Sequence, residues 1–421
     1  MLNGAGCRIR TYEGECQQIY SLPCLTASLT LHGADRGIRT HDPLFTKQPL
    51  WPLSYVGLNK RFTKSNFSRN NTLIQFALSS RTPLMLQLTY CMEPQNSQNI
   101  VSVDQSTTLS VFTQSTLWVE FQTALGKKTY TFEGDGWHAV CIENKTPLGT
   151  YWLSPYGPYA ENAASLKEAV NTLTTKAREE KVIWIRLEPR LVYDFNDFKN
   201  AVKAPKNINP GNTTMSDLRV SEEELYLRLG KTNRQRVNKQ KRDANLKLWT
   251  SVNPEDISKF TDMQGKVSQR TGAVFYDPSY LKTQSQVLMP KGAMRLEFAG
   301  LKPGEPVAGC VIHDYNGVAS YSYAASLPEA RDLGAANVLI WQSMLNAKAR
   351  GNKTFDFWGI APPDAPENHP WQGFTAFKRS FGTRDVSFSG TWDIPLSPKY
   401  KIYRARTKTI LKLKNIKRKL K

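Results

Sequence analysis

The chain has 421 residues, a 40% apolar share and a formal charge of +20 from 56 Lys and Arg against 36 Asp and Glu. That length can bury a substantial core and favours two or three domains. No apolar run approaches the roughly 18 residues of a membrane-spanning helix, and the opening MLNGAGCRIRTYEG lacks the apolar region of a signal peptide, so the expected address is the cytoplasm.

The first 60 or so residues hold no helical or strand period, and GADRGIRTHDPLFTKQPLWPLSYVGL mixes turn residues with scattered aromatics. This segment looks like the peptide produced when a transfer-RNA gene is translated by mistake. Residues 1–95 are therefore expected to be a non-native or disordered extension behind a wrong start, with Met85 or Met92 the better initiator.

From about Ser102 the pattern is that of a folded α/β protein. TQSTLWVEFQTAL predicts a capped amphipathic helix with Leu117, Phe121 and Leu125 on one face. KTYTFEGDGWHAVCIEN predicts two strands around the turn EGDG, and TYWLSPYGPYA a third strand ending in a Pro-Gly loop. A helix over about 164–180 and the strand VIWIRLEP complete a first unit over 100–205, which 395–410 can extend; it closes at the polar linker KAPKNINPGN.

A second unit over 206–394 repeats the plan. SEEELYLRLGKTNRQRVNKQKRDA reads as one helix, LKLWTSV as a strand and 256–271 as a helix. MRLEFAGL, VAGCVIHDY and VASYSYAAS follow as meandering strands, then the helix ANVLIWQSMLNAKARG, ended by Gly351, and the strand TFDFWGI. Two mixed α/β units with a cleft between them is the architecture this implies.

Positive charge concentrates in two places. Residues 401–421 carry ten Lys or Arg and no acid, and residues 231–242 carry a second basic run. The tail suits the phosphate backbone of RNA; it equally suits an anionic membrane, because Ile410, Leu411, Leu413 and Ile416 alternate with cations as in an interfacial helix. The six cysteines, Cys7, Cys16, Cys24, Cys91, Cys141 and Cys310, lack CxxC spacing and a His at metal-ligand spacing, so they read as free thiols with no metal.

Two segments carry candidate chemistry. In VASYSYAAS the period of two puts Tyr321 and Tyr323 side by side on one face. DFWGIAPPDAPENHPWQGFTAFKRSFG joins a strand to a short helix bearing Phe377 and Lys378 through a long Pro-rich loop, and loops of that length in compact domains usually bind something.

The order YSYAAS, an apolar helix, FDFWGI and HPWQGFTAFKRSFG, with TQSTLW and YGPYA upstream, resembles the FemABX family over residues 112–393. The resemblance implies two tandem GCN5-acetyltransferase-like (GNAT) domains and no cofactor. It also implies transfer of an amino acid from aminoacyl-tRNA to the stem-peptide amine of a peptidoglycan precursor, lipid II or UDP-MurNAc-pentapeptide. The absence of a long coiled-coil insertion resembles the shorter family members. Carried over residue by residue, Phe377 and Lys378 fall on the catalytic-cleft pair, with Lys378 as oxyanion stabiliser, and Tyr321, Tyr323 and Tyr280 on precursor-binding tyrosines. Gln122 stands where a Lys often occurs, Tyr276 where a phosphate-binding Arg can occur, and Glu188 replaces an Asp; these departures weaken the diphosphate clamp. His313, Asp356, Glu188 and His369 are the candidate bases. RDLGAA also fits the R-x-x-G-x-A pyrophosphate cradle of CoA-dependent acyltransferases, which keeps that reading open, along with a non-enzymatic RNA- or membrane-binding role.

Overall fold

The structure is a computed structural model that describes residues 111–190, 195, 198 and 200–419. The N-terminal extension with Met85 and Met92 lies outside the described residues. Among these, no helix is long and apolar enough to cross a membrane.

The first sheet is built from β1 (Thr129–Gly134), β2 (Trp137–Thr146), β3 (Gly149–Ser154), β4 (Tyr159–Ala160), β5 (Trp184–Leu187), β6 (Val202–Lys203) and, returning from the far end of the chain, β14 (Trp392–Pro395). Its order is β1-β2-β3-β5-β14-β6, with β4 paired to β2. Helix α1 (Thr116–Ala124) precedes it, and α2 (Ala163–Glu179) crosses between β4 and β5. Both helices begin as their sequences dictate: the Ser115 hydroxyl accepts from the Trp118 amide at 3.2 Å, and Asn162 accepts from the amides of Ala164 and Ser165. Leu166, Leu173, Trp152 and Ile185 form the core under α2.

On the sheet's other face Tyr151 and Trp184 receive Tyr400, from the first turn of the C-terminal helix α10 (Lys399–Lys419). A fully buried pair, Arg186 Nε to Asp393 Oδ1 at 2.7 Å, continues to the Tyr400 hydroxyl at 2.7 Å and locks that helix down.

The second sheet contains β7 (Asn212–Asp217), β8 (Lys247–Ser251), β9 (Met294–Lys302), β10 (Glu305–Tyr315), β11 (Val318–Ser326), β12 (Thr354–Gly359) and β13 (Arg384–Ser387), in the order β13-β7-β12-β11-β10-β9-β8. Its helices are α3 (Glu222–Arg228), α4 (Lys231–Asp243), α5 (Ile257–Thr271), α6 (Pro278–Leu288), α7 (Ala330–Leu333), α8 (Ala335–Ala349) and α9 (Gln372–Arg379). One face packs on α4 and α8 through Val237, Val338 and Met344; the other packs on α5 and α6 through Phe260, Leu281 and Leu288. Helix α1 joins this second core with Trp118 and Phe121, so the two units are pinned together.

Two expectations change. The helix expected to run unbroken from Ser221 splits into α3 and α4 at Gly230, whose amide donates to Ser380 O at 2.7 Å. A Cβ there would lie 3.1 Å from that carbonyl, so glycine permits the close approach. Helix α6, which the apolar period did not single out, is announced by its cap: the Asp277 carboxylate accepts from the Ser279 amide at 2.8 Å, and Pro278 opens the first turn.

A candidate active cleft between the two sheets

The parallel strands β11 and β12 pair only over Val318, Ala319 and Ser320 against Thr354, Phe355 and Asp356, then part. Beside this opening lies an aromatic cleft of about 630 Å³, counting its open mouth. The first unit lends Phe112, Trp118 and Leu153 to its walls; α5–α6 lend Tyr276, Tyr280 and Gln284; β10 lends His313, and the opened strands lend Ser320, Ser322, Tyr323 and Trp358. None of the described residues lining it carries a formal charge at neutral pH.

A β-bulge decides which tyrosine reaches this cleft. Val311 pairs with Tyr323 but Ile312 with Tyr321, so Ser322 is the extra residue. The bulge breaks the alternation. Tyr321 therefore turns into the opposite core beside Phe357, at 6.4 Å between rings, while Tyr323 stays in the cleft at 5.4 Å from Tyr276. The expectation that both phenols share one face is corrected on this point. Tyr276 and Tyr280 stack at 4.6 Å with 12° between planes, and burial raises the Tyr323 hydroxyl pKa against the opposing pull of Gln284 and Tyr280.

His313 stands over the same wall. Its Nδ1 is 2.7 Å from Ser322 Oγ, Phe112 stacks on its ring at 4.9 Å, and its Nε2 is buried with no hydrogen-bond partner among the described residues. Burial, followed by the nearby Arg295 charge, pushes its pKa down to about 3, so the ring is neutral at pH 7.

The end of β12 is held from both sides. Trp358 has φ +61°, the left-handed region that bulky side chains rarely enter. Its amide donates to Asp356 Oδ1 at 2.8 Å, and Thr213 Oγ1 donates to the same oxygen. Asp356 Oδ2 receives Arg190 Nη2 at 2.6 Å, and the Arg190 guanidinium lies between the rings of Tyr156 and Phe388 at 5.0 and 4.7 Å. On the carbonyl side, Lys378 Nζ donates to Gly359 O at 2.7 Å and reaches Trp358 O at 3.4 Å.

These contacts relocate several expected site residues. Lys378 is buried behind the Trp358–Gly359 turn, over the Phe374 ring, and does not line the cleft opposite the tyrosines. Phe377 packs against Phe381 at 5.3 Å on the α8 side of the sheet. Glu188 is buried, and its two oxygens accept from the Ile208 and Asn209 amides, the Asn209 side chain and Thr391. Burial raises its pKa, and it supports Asn209 at the cleft edge from behind. Gln122 is buried on α1 away from the lining. Asp356 has its oxygens committed to Arg190, Thr213 and Trp358, and His369 accepts from the Trp371 amide outside the cleft. Tyr276, Tyr280 and Tyr323 are the expected residues that the fold brings together. Reading the sequence alone missed Arg190, Trp358 and Ser322; the WG of FDFWGI was the available signal for Trp358.

The R-x-x-G-x-A segment does open α8, with Gly334 at φ +64°, but Arg236 lies across it. A Cβ on Gly334 would sit 2.5 Å from Arg236 Cδ, and Arg236 donates to Asp332 O at 3.1 Å. Among the described residues no cluster of His, Cys, Asp and Glu could hold a metal, and Cys141 and Cys310 are buried free thiols.

The FemAB family model matches residues 298–408, which contain the bulged strand, the Trp358 turn and Lys378. Over residues 298–408 the chain is similar to the FemAB family. The solved structure of FemX shares its fold, with TM-score 0.62 and 18% identity over 71% of this chain and 96% of that one. L-PGS from Bacillus licheniformis aligns at TM-score 0.46 and 13% identity over 70% of this chain and 95% of that one. No curated protein sequence matches.

Proposed function

We propose that this protein is a FemABX-type transferase that moves an amino acid from aminoacyl-tRNA to the side-chain amine of the stem peptide in lipid II or UDP-MurNAc-pentapeptide. The observation that supports it most is that the FemAB-matched segment itself supplies the cleft wall His313, Ser320, Ser322, Tyr323 and Trp358.

The aminoacyl ester is already activated, so the enzyme's work is to hold it against a neutral amine; positioning of that kind contributes several kcal/mol. The amine nitrogen bonds to the ester carbonyl carbon, the carbon–oxygen bond to the tRNA ribose breaks, and the ribose oxygen leaves with a proton. No nucleophilic side chain is needed, because the nucleophile belongs to the acceptor. Tyr276, Tyr280 and Tyr323 offer ring faces and hydroxyls to the acceptor. Lys378 holds the carbonyls of Trp358 and Gly359 and so sets the cleft wall against which the oxyanion develops, while Phe377 packs behind it against Phe381. His313, held neutral well below its ordinary range, is a poor base, and a substrate carboxylate takes the amine proton.

Helix α10 supplies the basic partner surface. Ile402, Ile410 and Leu413 are exposed on it among Lys401, Arg406, Lys408 and Lys412. That face serves tRNA phosphates or the anionic inner surface of the membrane where a lipid-linked acceptor resides.

The test is to incubate the protein with a mixed aminoacyl-tRNA pool and each precursor and to weigh the precursor. An increment equal to one amino-acid residue supports the reading and names the donor. Acetylation from acetyl-CoA with no response to aminoacyl-tRNA would replace it.

A further inference from the structure

A bulky side chain at φ +61° is costly, and such strain persists only where its surroundings over-determine it. Trp358 is over-determined. Asp356 takes its amide, Lys378 takes its carbonyl, and Arg190 fixes Asp356 from the other unit. Gly359 follows because Pro210 approaches so closely that a Cβ would lie 2.6 Å from its Cγ. A turn held at the peptide units on both sides of one residue aims one side chain, and that side chain lines the cleft with its ring edge-on to Tyr156 at 5.2 Å.

The indole Nε1 of Trp358 is buried without a hydrogen-bond partner among the described residues. Trp118 Nε1 and His313 Nε2, on residues lining the same cleft, are in the same condition. Buried polar atoms are nearly always satisfied, so unpaired indole donors around a cleft indicate oxygens that arrive with a ligand. The lining is uncharged and aromatic, which suits a neutral amide or N-acyl oxygen and would serve a diphosphate poorly.

We infer that Trp358 is an acceptor-binding residue of this cleft, donating its indole N–H to an uncharged carbonyl oxygen of the acceptor, and that Asp356 and Arg190 are its positioning residues. The inference rests on the proposed function and adds the residue and the chemistry of its partner. The oxygen belongs to the neutral part of the precursor, so the contact survives removal of the nucleotide diphosphate.

The test measures calorimetric binding of UDP-MurNAc-pentapeptide and of the diphosphate-free N-acetylmuramoyl pentapeptide to wild type, Trp358→Phe and Trp358→His. The phenylalanine keeps a ring without a donor; the histidine restores an N–H on a smaller ring. One neutral hydrogen bond corresponds to roughly a tenfold change in Kd. Trp358→Phe is expected to weaken both ligands by about that factor at unchanged melting temperature, with Trp358→His recovering part of it. Wild-type affinity in Trp358→Phe, or a loss confined to the diphosphate-bearing ligand, overturns the inference and leaves the transferase reading standing. Binding without transfer by wild type overturns transfer to the soluble precursor, and a wild type that binds neither ligand overturns the inference.

Discussion

Asp356→Ala tests the joint between the two units most directly. The carboxylate and the Arg190 guanidinium are 0% and 5% exposed, so solvent cannot replace the lost partner. Breaking a buried pair from one side costs about 3–5 kcal/mol, because the remaining charge is stranded. The Trp358 amide and Thr213 hydroxyl lose the same acceptor, which puts the expected cost at the upper end of that range. Arg190→Met alone strands the carboxylate instead and costs a similar amount, whereas the double variant strands neither charge. The assay is urea unfolding of wild type, both single variants and the double. The double is expected to be more stable than the sum of the singles by at least about 2 kcal/mol. A single-variant cost below about 1 kcal/mol, or strict additivity, would refute the claim that the pair is buried and coupled.

His313 makes stability depend on acid. The folded ring resists protonation down to about pH 3, whereas the unfolded ring protonates near its ordinary value of 6.5, so this contribution is full above pH 6.5 and is lost as pH falls from 6.5 toward 3. The slope is about 1.4 kcal/mol per pH unit in that window, and urea melts of His313→Asn from pH 7 to 4 should lack it. Lys378→Met frees the carbonyls of Trp358 and Gly359 and is expected to lower kcat/KM for the acceptor by about tenfold or more, with acceptor KM raised, measured by initial rates with a fixed aminoacyl-tRNA. Gly359→Ala drives a methyl group into Pro210 and should destabilise by about 1–3 kcal/mol, read as a fall in the urea midpoint at unchanged slope.

The repeated elements were legible because their causes are local. Ser115 and Asn162 cap helices within two or three residues, and β9, β10 and β11 follow one another with tight turns. The return of β14 to the first sheet joins residues about 200 apart, and no local pattern announces it. For the same reason Arg190 was invisible as a site residue: its partner Asp356 is 166 positions away. The cleft tyrosines Tyr276 and Tyr280 were found only through the family resemblance, since their i, i+4 spacing spans the cap of α6 and reads equally as core.

The bulge at Ser322 shows how a short-range rule fails at a functional place. Alternation assumes that each residue on one strand meets one residue on its neighbour; one extra residue reverses the rule for everything beyond it. In β11 that reversal delivers Ser320, Ser322 and Tyr323 to the same side, a concentration of hydroxyls that strict alternation cannot produce. It also sends Tyr321 to the opposite face, where it packs beside Phe357, the residue between Asp356 and Trp358. The two tyrosines therefore do different work on the same turn: Tyr323 forms the cleft wall beside Trp358, and Tyr321 packs the core from which that turn emerges. Lys378 belongs to the second role by position, since its ammonium holds the carbonyls of Trp358 and Gly359. Charge there influences the cleft through the orientation of the Trp358 peptide, which makes the conformation of that one residue the quantity on which both Lys378 and Asp356 act.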